Sequence, residues 1–513
     1  YLRAITKYGN RMMIEKISQI LLVTWIIILG TSSSYAENKK WNFLIIVVDD
    51  LGQMDISPNN PETFYQTPNL EKLASQSVRF SQNYSASPVC SPARLALMTG
   101  RHPARLNATD WFHMEEGQGR AETYVWGKDI QHMPISEVTL AEALKPKGYK
   151  SAFIGKWHLG HDEKFWPEHQ GFDINIGGFW RGSPRGFNEE LGEGYFAPHN
   201  NPRMKDGADG EYLTERLSNE AINIINNFSR SDNPFLMVLS YYTVHVPLNA
   251  PKDTINKYDE IAENKNLTRL FTEEEQVWPT EEIRIVRINQ THSTYAAMVE
   301  HMDANIGRVL NKLETTGLSE NTIVFFTSDN GGLSTSEGSP TSNLPFRGEK
   351  GWVYEGGIRV PFLVRWPDVG KAGIENSSVV TGLDIFPTIM EITGIETGTL
   401  DGNSIVSKLK GNTQLTEKPA FWHYPHYSNQ GGMPASAVRL GDYKYILRLE
   451  DGRHHLYNLK LDPEEKNDIA AAQPQKTAEM KKMLLSWYKD VDAEFLREKD
   501  GNIPWKPEKQ LIR

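Results

Sequence analysis

The chain has 513 residues, of which 39% are hydrophobic and 23% are charged, and its formal net charge is −10. This length and composition are ordinary for a globular protein with one large domain and a smaller one. The negative charge argues against a nucleic-acid binder, which needs a basic face, although a local basic pocket can still accept an anionic substrate.

The N-terminal segment has the features of a secretory signal. Lys16 precedes an apolar run at residues 20–29, and Ser34-Tyr35-Ala36 is a small-x-small cleavage site. The run is too short to predict a transmembrane span, so we expect no stable membrane insertion, with an uncleaved signal anchor as the alternative. We expect residues 1–36 to be upstream sequence and signal peptide, and the mature protein to be exported, either secreted or periplasmic.

The first predicted strand of the mature chain ends in two carboxylates. Residues 42–48 (NFLIIVV) form a continuous apolar run that is typical of a strand buried on both faces of a parallel sheet. Asp49 and Asp50 follow directly. Two adjacent carboxylates are costly to bury unless a cation is present, and a solvated loop start is the alternative.

The only cysteine, Cys90, lies just before a predicted helix. Pro92 suits the first turn of that helix, and Gly100 favours its end. The free N–H groups and positive dipole of a helix N-terminus attract an anion, and Arg94 adds a fixed cation. A single cysteine in an exported protein cannot form an internal disulfide, which favours a reactive role over a buried structural thiol.

Strands and helices are predicted to alternate as far as about residue 414. The predicted helices span residues 67–80, 139–145, 217–228 and 295–313, and Thr139 with Glu142 forms a capping box. The predicted strands span residues 151–154, 234–240, 322–327 and 362–366. Residues 101–135 and 161–210 are predicted loops, and 252–285 a polar surface insertion. The alternation indicates an α/β sandwich with a large, mostly parallel central sheet over residues 37–414.

From about residue 415 the pattern changes to short strands separated by turns. Strands are predicted at residues 420–424, 435–440, 444–449 and 454–458, and a terminal helix at 475–495. We therefore predict a smaller C-terminal subdomain, residues 415–513, with an antiparallel sheet and a terminal helix.

Four predicted strands are followed by polar groups that a single reaction centre could use. They are Asp49 with Asp50, Lys156 with His158, His245, and Asp329 with Asn330. In open α/β sheets, sites collect at the carboxyl ends of strands. Three carboxylates and one amide favour a hard cation such as Ca²⁺ or Mg²⁺, and the histidines lack the paired spacing of a zinc site.

Cys90, Pro92, Arg94, Thr99 and Gly100 form the pattern C-x-P-x-R-x4-T-G, which resembles the signature of the formylglycine-dependent type I sulfatases of the alkaline phosphatase superfamily. The overall pattern is similar to arylsulfatase A and to N-acetylgalactosamine-6-sulfatase-like bacterial carbohydrate sulfatases. Further matching blocks follow in the family's order over about residues 41–470: GKWHLG at 155–160, His245 in H-x-P, SDNG at 328–331, Lys350, EGGIRVP at 355–361 and LYNLKLDPE at 456–464.

The resemblance implies an alkaline-phosphatase-like fold and a sulfate-ester hydrolase. It implies that a separate maturation enzyme oxidises Cys90 to formylglycine (3-oxoalanine), and that a hydroxyl of the hydrated aldehyde attacks sulfur. It also implies a metal site formed by Asp49, Asp50, the modified Cys90, Asp329 and Asn330, with Ca²⁺ as the expected ion and Mg²⁺ as the alternative.

Catalytic roles also follow from the resemblance. Arg94 is expected to hold the formylglycine hydrate, and Asp329 is the candidate carboxylate for activating its hydroxyl. Lys156, His245 and Lys350 are expected to contact the sulfate, with His245 or Lys350 protonating the leaving oxygen. His158 is expected to remove a proton in the step that frees sulfate.

The substrate is predicted less directly, from loops between the motifs. Trp111, His113, Trp180 and Arg181 could stack on and hydrogen-bond a sulfated sugar, with packing inside the loops as the alternative. The predicted substrate is a sulfated polysaccharide or oligosaccharide, with galactose or N-acetylgalactosamine as the expected units.

Two other functions are compatible with parts of this pattern. One is a phosphomonoesterase or phosphodiesterase of the same superfamily, against which the cysteine in C-x-P-x-R argues. The other is a noncatalytic glycan-binding protein on a sulfatase fold. That alternative predicts loss of some charged positions, and none is lost in this sequence.

Overall fold

The structure is a computed structural model that describes residues 39–112, 124–125, 129–184, 194–274, 284–412 and 417–498. The predicted signal peptide, residues 1–36, and the predicted substrate residue His113 lie outside these residues. All of the elements below belong to the unit that begins at Asn42.

The strands are β1 Asn42–Val48, β2 Val78–Phe80, β3 Asn83–Tyr84, β4 Tyr124–Val125, β5 Lys150–Gly155, β6 Ile174–Ile176, β7 Phe235–Ser240, β8 Phe271–Glu274, β9 Arg284–Arg287, β10 Thr322–Ser328, β11 Phe362–Arg365, β12 Ile374–Asn376, β13 Val380–Thr381, β14 Ala420–Tyr424, β15 Ala435–Leu440, β16 Tyr443–Arg448, β17 His454–Asn458 and β18 Arg497–Glu498. The α-helices are α1 Pro68–Ser75, α2 Cys90–Thr99, α3 Leu140–Leu144, α4 Leu213–Phe228, α5 Lys252–Asn264, α6 Ser293–Thr315, α7 Glu355–Ile358, α8 Ile385–Thr393, α9 Val406–Leu409 and α10 Pro474–Val491.

The central sheet has eight strands in the order β12-β2-β11-β10-β1-β7-β5-β6. Strands β10, β1, β7, β5 and β6 are parallel neighbours, and β11 runs antiparallel to both β10 and β2. The predicted large, mostly parallel sheet is therefore confirmed. The four strands β10, β1, β7 and β5 are adjacent, so their carboxyl ends lie side by side along one edge.

The apolar run of β1 is buried because both faces of the sheet are covered. Leu44, Ile46 and Val48 belong to a core that they share with α4 and α6. Each of these two helices presents a largely apolar stripe to this core, and their exposed positions are mostly polar. A strand covered on both faces needs no polar positions, which explains its continuous hydrophobic sequence.

Helix α2 carries the cysteine and is buried along its whole length. It begins at Cys90, so Pro92 lies in its first turn, as predicted, and the cysteine is the first helical residue instead of the residue before the helix. Gly100 ends the helix in a left-handed conformation, with φ of 67°, and its N–H donates to the carbonyl oxygen of Ala96 at 2.9 Å. The predicted stop is therefore confirmed.

The C-terminal part contains the predicted antiparallel sheet and terminal helix. The sheet order is β14-β15-β16-β17, and α10 packs against β15 and β16. Its core includes Trp422, Tyr445 and Met480, all of them fully buried. The division of the chain at residue 415 stays a prediction.

Two predicted elements differ from the structure. The helix predicted over 67–80 ends at Ser75, and Val78–Phe80 forms a strand between β11 and β12. Tertiary pairing with two strands prevails there over the helical pattern. The predicted polar insertion at 252–285 contains helix α5 and the first strand of the β8–β9 hairpin.

The capping box of Thr139 and Glu142 is confirmed at the start of α3. Among the helices of the described residues, none is long and apolar enough to span a membrane.

Candidate active site

Asp49 follows β1 directly and is fully buried. Its carboxylate accepts two hydrogen bonds from Nζ of Lys156, at 2.6 and 2.8 Å, and its Oδ1 lies 3.7 Å from Nη2 of Arg94. Burial raises the pKa of Asp49 well above its usual range, with Lys156 opposing this and the carboxylates of Asp329 and Asp50 adding to it. This part of the interior therefore favours additional positive charge.

Asp50, the next residue, has a separate set of partners. Its carboxylate accepts hydrogen bonds from Nζ of Lys350 at 2.9 Å and from Nδ2 of Asn330 at 2.7 Å, and Nε2 of His245 lies 3.7 Å away. Burial acts to raise the pKa of Asp50, but the charges of Lys350 and His245 outweigh burial and lower it. The two adjacent carboxylates are thus matched with different cations.

Arg94 joins the ends of three strands. Its Nε donates to Oδ2 of Asp329 at 2.7 Å, just after β10. Its Nη1 donates to the carbonyl oxygen of Lys156 at 2.7 Å, after β5, and to Oγ of Ser240 at 2.6 Å, at the end of β7. A buried guanidinium with these charge-assisted bonds fixes α2 against the sheet edge. Burial acts to raise the pKa of Asp329, but the charges of Arg94, Lys156 and Lys350 together outweigh burial and lower it.

Gly155 allows Lys156 to enter the site. The backbone of Gly155 has a φ of 99°, and a Cβ there would lie 1.9 Å from the carbonyl oxygen of Ser240. The same carbonyl accepts a hydrogen bond from the N–H of Lys156 at 2.8 Å. Only glycine fits where β5 ends so close to β7. The side chain of Lys156 is consequently fully buried beside Asp49.

Cys90 lies between the two aspartates. Its Sγ is 3.7 Å from Oδ1 of Asp49. Ligand atoms of Cys90, Asp49 and Asp329 lie within 4.8 Å of one another, and so do those of Cys90, Asp50 and His245. Burial raises the pKa of the Cys90 thiol to about 12, so the thiol is protonated at neutral pH.

The two predicted active-site histidines are held by backbone carbonyls. Nδ1 of His245 donates to the carbonyl oxygen of Val246 at 2.7 Å, which leaves Nε2 facing Asp50. Burial and the charge of Lys350 lower the pKa of His245 to about 4. Nε2 of His158 lies 3.2 Å from the carbonyl oxygen of Phe112, and the ring packs against Gly182, where a Cβ would lie 2.2 Å from it.

The oxygen atoms at this sheet edge fit a hard divalent cation. Three carboxylates, those of Asp49, Asp50 and Asp329, converge within a buried cluster. Oδ1 of Asn330 is buried without a hydrogen-bond partner among the described residues. Carboxylate and amide oxygens are the ligands that Ca²⁺ and Mg²⁺ prefer, and an unsatisfied buried oxygen favours a bound cation.

A cavity of about 750 Å³ adjoins the cluster. Cys90, His158, His245 and Lys350 line it, so these predicted catalytic residues share one space. Three of the predicted substrate residues, Trp111, Trp180 and Arg181, line the same cavity, and the guanidinium of Arg181 lies 4.5 Å from the ring centre of Trp180. Asp49, Arg94, Lys156, Asp329 and Asn330 are buried behind this lining.

Some residues of the site were not predicted. Ser240, which accepts from Arg94, is the last residue of a predicted strand, and its position beside the other strand ends was the signal for it. Glu337, Asn429 and Gln430 line the cavity from two loops about 90 residues apart, and no sequence pattern marks them. Their proximity depends on how the C-terminal sheet packs on the central one.

Comparison with known families gives two matches. A family model described as Sulfatase matches residues 41–395. A second, described as N-sulphoglucosamine sulphohydrolase, C-terminal, matches residues 348–491. The first match includes all of the strand ends that form the cluster, and the second includes the small antiparallel sheet.

Curated relatives match over most of the chain. A protein named Sulfatase from Formosa agariphila is 29% identical over 529 aligned residues, covering 90% of each chain. N-acetylgalactosamine-6-sulfatase from Canis lupus familiaris is 30% identical over 428 residues, covering 79% of this chain and 71% of its own.

Solved structures share the fold. The structure of Ps i-CgsB in complex with k-i-k-neocarrahexaose is 25% identical, with a TM-score of 0.69, and the match covers 88% of this chain and 93% of that chain. A structure in complex with its substrate D-glucosamine-2-N,6-O-disulfate is 20% identical, with a TM-score of 0.65, covering 88% and 98%. The second likeness concerns the fold alone.

Proposed function

Since this chain belongs to the type I sulfatase family and is a sulfuric ester hydrolase, we propose that it removes sulfate monoesters from a sulfated oligosaccharide or polysaccharide. The observation that carries the proposal is the convergence of Cys90, His158, His245 and Lys350 on one cavity. Three buried carboxylates lie directly behind these groups. A sulfate ester needs this combination of a nucleophile position and concentrated positive charge.

Cys90 is proposed to be the precursor of the nucleophile. In members of the family a separate maturation enzyme converts this cysteine to formylglycine, whose hydrated form supplies a hydroxyl that attacks sulfur. The burial of the side chain and its place at the first turn of α2 support this assignment, because free N–H groups at a helix start favour the developing negative charge.

Asp49, Asp50, Asp329 and Asn330 are proposed to hold a divalent cation, Ca²⁺ with Mg²⁺ as the alternative, together with the modified Cys90. The buried carboxylates and the unpartnered amide oxygen of Asn330 support a hard cation here. When bound, such an ion lowers the free energy of negative charge on nearby oxygens.

The remaining charged residues are proposed to bind and orient the sulfate. Lys350 and His245 line the cavity and both face Asp50, so both side chains are accessible to a sulfate group bound in the cavity. One of these two residues protonates the leaving oxygen. Lys156 lies behind them against Asp49, and His158 is placed at the cavity wall to accept a proton when sulfate is released. Arg94 holds the ends of the three strands together by hydrogen bonds.

A carbohydrate substrate is supported by the lining of the cavity. Trp111 and Trp180 offer aromatic faces on which a sugar ring can stack, and Arg181 offers a cation for polar groups. The similar structure of Ps i-CgsB is a complex with a saccharide, k-i-k-neocarrahexaose, which agrees with this class of substrate. Export of the protein and maturation by a separate formylglycine-generating enzyme are parts of the same proposal, supported by the apolar run at residues 20–29 and by the C-x-P-x-R pattern.

The proposal is tested on protein purified from a host that has the maturation enzyme. Mass spectrometry of the peptide that contains Cys90 should show the mass of formylglycine in place of cysteine. The same preparation should release sulfate from members of a sulfated-oligosaccharide panel, and Cys90→Ala should lower this release at least 10³-fold, about the share that covalent catalysis contributes. An unmodified thiol in an active preparation would contradict the mechanism. Release of phosphate from phosphate monoesters, without any release of sulfate, would contradict the substrate class.

The cation is tested by chelation. Removing divalent ions should lower both activity and melting temperature, because three buried carboxylates lose their counter-charge. Addition of Ca²⁺ or Mg²⁺ should restore both, and the ion that restores them at the lower concentration is the physiological candidate. A melting temperature that is insensitive to chelation would argue against a cation at this position.

A further inference from the structure

One wall of the active-site cavity is acidic, although the reaction centre is cationic. Glu337 is the one carboxylate among the described residues that line the cavity. The same lining contains the cations Lys350 and Arg181. A carboxylate in a pocket for anionic esters opposes their binding unless it serves a particular contact, so its position calls for an explanation.

The loop that carries Glu337 is anchored to the reaction centre. The buried carboxylate of Glu349 accepts hydrogen bonds from the N–H groups of Ser334 and Thr335, both at 2.6 Å, and from that of Ser336 at 3.2 Å. Glu349 directly precedes Lys350, whose Nζ pairs with Asp50. Glu349 therefore connects the loop that carries Glu337 with Lys350, the lysine proposed to bind sulfate.

Glu337 is also held from the C-terminal part of the chain. Nε2 of Gln430 donates to Oε1 of Glu337 at 2.6 Å. Gln430 is buried, and its own Oε1 accepts from Oγ of Ser428 at 2.7 Å, which orients the amide so that its N–H faces Glu337. No hydrogen bond is made by Oε2 of Glu337 within the described chain, so this oxygen can accept from a ligand.

A second acceptor lies on the same wall. Asn429 lines the cavity next to Gln430, and its Oδ1 is without a hydrogen-bond partner in the part of the chain that the structure describes. An amide oxygen left without a donor is unfavourable, and a donor from a bound molecule would relieve it. Two acceptors in the lining of one cavity predict donors on the ligand.

We infer that Glu337, with Asn429 and Gln430, recognises free hydroxyl groups on the sugar that carries the scissile sulfate and disfavours a second sulfate at that place. This inference rests on the proposed function. Hydroxyl groups donate to the carboxylate, whereas a second sulfate brings like charge against it. The wall also orients the substrate, because the single sulfate is attracted by Lys350 and repelled by Glu337. The cavity therefore selects a singly sulfated sugar residue.

The experiment compares substrates that differ only in a second sulfate. A monosulfated disaccharide that the enzyme hydrolyses is matched with isomers that carry one further sulfate at each other hydroxyl of the same residue. The ratio of kcat/KM between each disulfated isomer and the monosulfated sugar is measured for the parent protein and for Glu337→Gln, which keeps the size and hydrogen-bonding ability but not the charge. Glu396→Gln is the control, because Glu396 is an exposed residue after α8.

The parent should prefer the monosulfated sugar over every isomer. In Glu337→Gln the ratio for at least one isomer should rise by roughly tenfold, as expected from removing one like-charge contact, and in Glu396→Gln the ratios should equal those of the parent. An active Glu337→Gln protein with all ratios unchanged overturns this inference and leaves the proposed function intact. A parent protein with confirmed formylglycine that releases no sulfate from any sugar overturns the proposed function, and this inference with it.

Discussion

At several positions of the site, the pairing of buried charges determines which residue type fits. Arg94 is the clearest case, since it uses two nitrogens to reach three strand ends. A planar guanidinium can make these bonds at once in fixed directions, whereas an ammonium group is a point charge with three donors. The position therefore requires arginine for its shape as well as for its charge.

We predict that Arg94→Lys lowers kcat/KM by roughly 10²- to 10³-fold, comparable to the loss of one preorganised electrostatic group. The charge beside Asp329 is kept, but the bonds to the Lys156 carbonyl and to Ser240 are lost, so the strand ends are no longer fixed. Steady-state kinetics on a sulfated sugar measure the effect. Arg79→Lys is the matched control, because Arg79 is a partly exposed arginine paired with Glu375. Equal activity of Arg94→Lys and the parent would contradict the prediction.

Asp110 lies beneath the cavity lining, next to Trp111. Its Oδ1 accepts from the N–H of Trp111 and from the hydroxyl of Tyr424, both at 2.9 Å, and Nδ1 of His426 lies 3.7 Å from its Oδ2. Burial raises the pKa of Asp110 from 3.8 to about 7. Between these two values the folded protein holds a proton that the unfolded chain has released, so this group's contribution to stability falls as pH rises.

We predict that Asp110→Asn removes this pH dependence. Compared with the parent, the variant should gain stability between about pH 4 and pH 7, by up to about 1.4 kcal/mol per pH unit. Melting temperatures of both proteins across this range measure the difference, with the exposed Asp209→Asn as control. If the difference in melting temperature between variant and parent were the same at every pH in this range, Asp110 would be ionised in the folded protein.

At the scale of elements, the site depends on how closely two strands approach. Gly155 ends β5 where the carbonyl of Ser240 ends β7. Gly148, just before the same strand, also has a positive φ, of 80°, but its nearest neighbour would be 3.9 Å from a Cβ. Substitution of Gly148 therefore tests backbone strain alone, whereas substitution of Gly155 tests backbone strain together with steric overlap.

We predict that Gly148→Ala lowers the free energy of unfolding by about 1–2 kcal/mol, from left-handed strain alone. Gly155→Ala should lower it by about 1–3 kcal/mol more, because its Cβ overlaps the Ser240 carbonyl and forces the strands apart. Gly155→Ala should also reduce activity, since Lys156 moves with the strand end. Chemical unfolding and sulfate release measure the two effects. If both variants lost a similar free energy of unfolding, strands β5 and β7 would be able to move apart at Gly155 without an energetic cost.

The order of the strands also shows why groups far apart in the sequence lie together in the site. Strands β10, β1, β7 and β5 are adjacent and parallel, so residues directly after them meet. Each segment was recognisable in the sequence as an apolar run followed by polar residues. Strand order was not, because hydrophobic runs of similar composition can pair in any order.

At the scale of the whole molecule, a buried ion network connects the central part to the small sheet. Nζ of Lys444, on β16, lies 3.0 Å from Glu355 and 2.8 Å from Glu465, and all three side chains are fully buried. Glu355 begins the EGGIRVP block, and Glu465 directly follows the LYNLKLDPE block. Two sequence blocks that resemble the family thus meet in a structural contact away from the cavity lining.

We predict that Lys444→Met destabilises the protein by about 3–5 kcal/mol, because two buried carboxylates lose their shared cation. Burial already raises the pKa of Glu465 to about 7, with Lys444 opposing this and Glu355 adding to it. Without Lys444 a proton must replace the cation, so the loss should be smaller at about pH 5 than at about pH 8. Denaturant unfolding at both pH values measures this, with the exposed Lys460→Met as control. A pH-independent loss would indicate that the carboxylates keep their charge.

The sequence alone determined the class of fold, the order of most elements and the family to which the chain belongs. Continuous apolar runs define buried strands, and the C-x-P-x-R pattern with its accompanying blocks identifies the family, because these signals are local. The tertiary structure decided which strand ends are neighbours, that Arg94 joins three of them, and that Val78–Phe80 is a strand where the helical pattern extended further. It also determined the position of Glu337 in the cavity lining. Glu337 meets Gln430 only because the loop after β10 and the loop between β14 and β15 pack together. Contacts between distant segments depend on the packing of sheets, which no local pattern encodes.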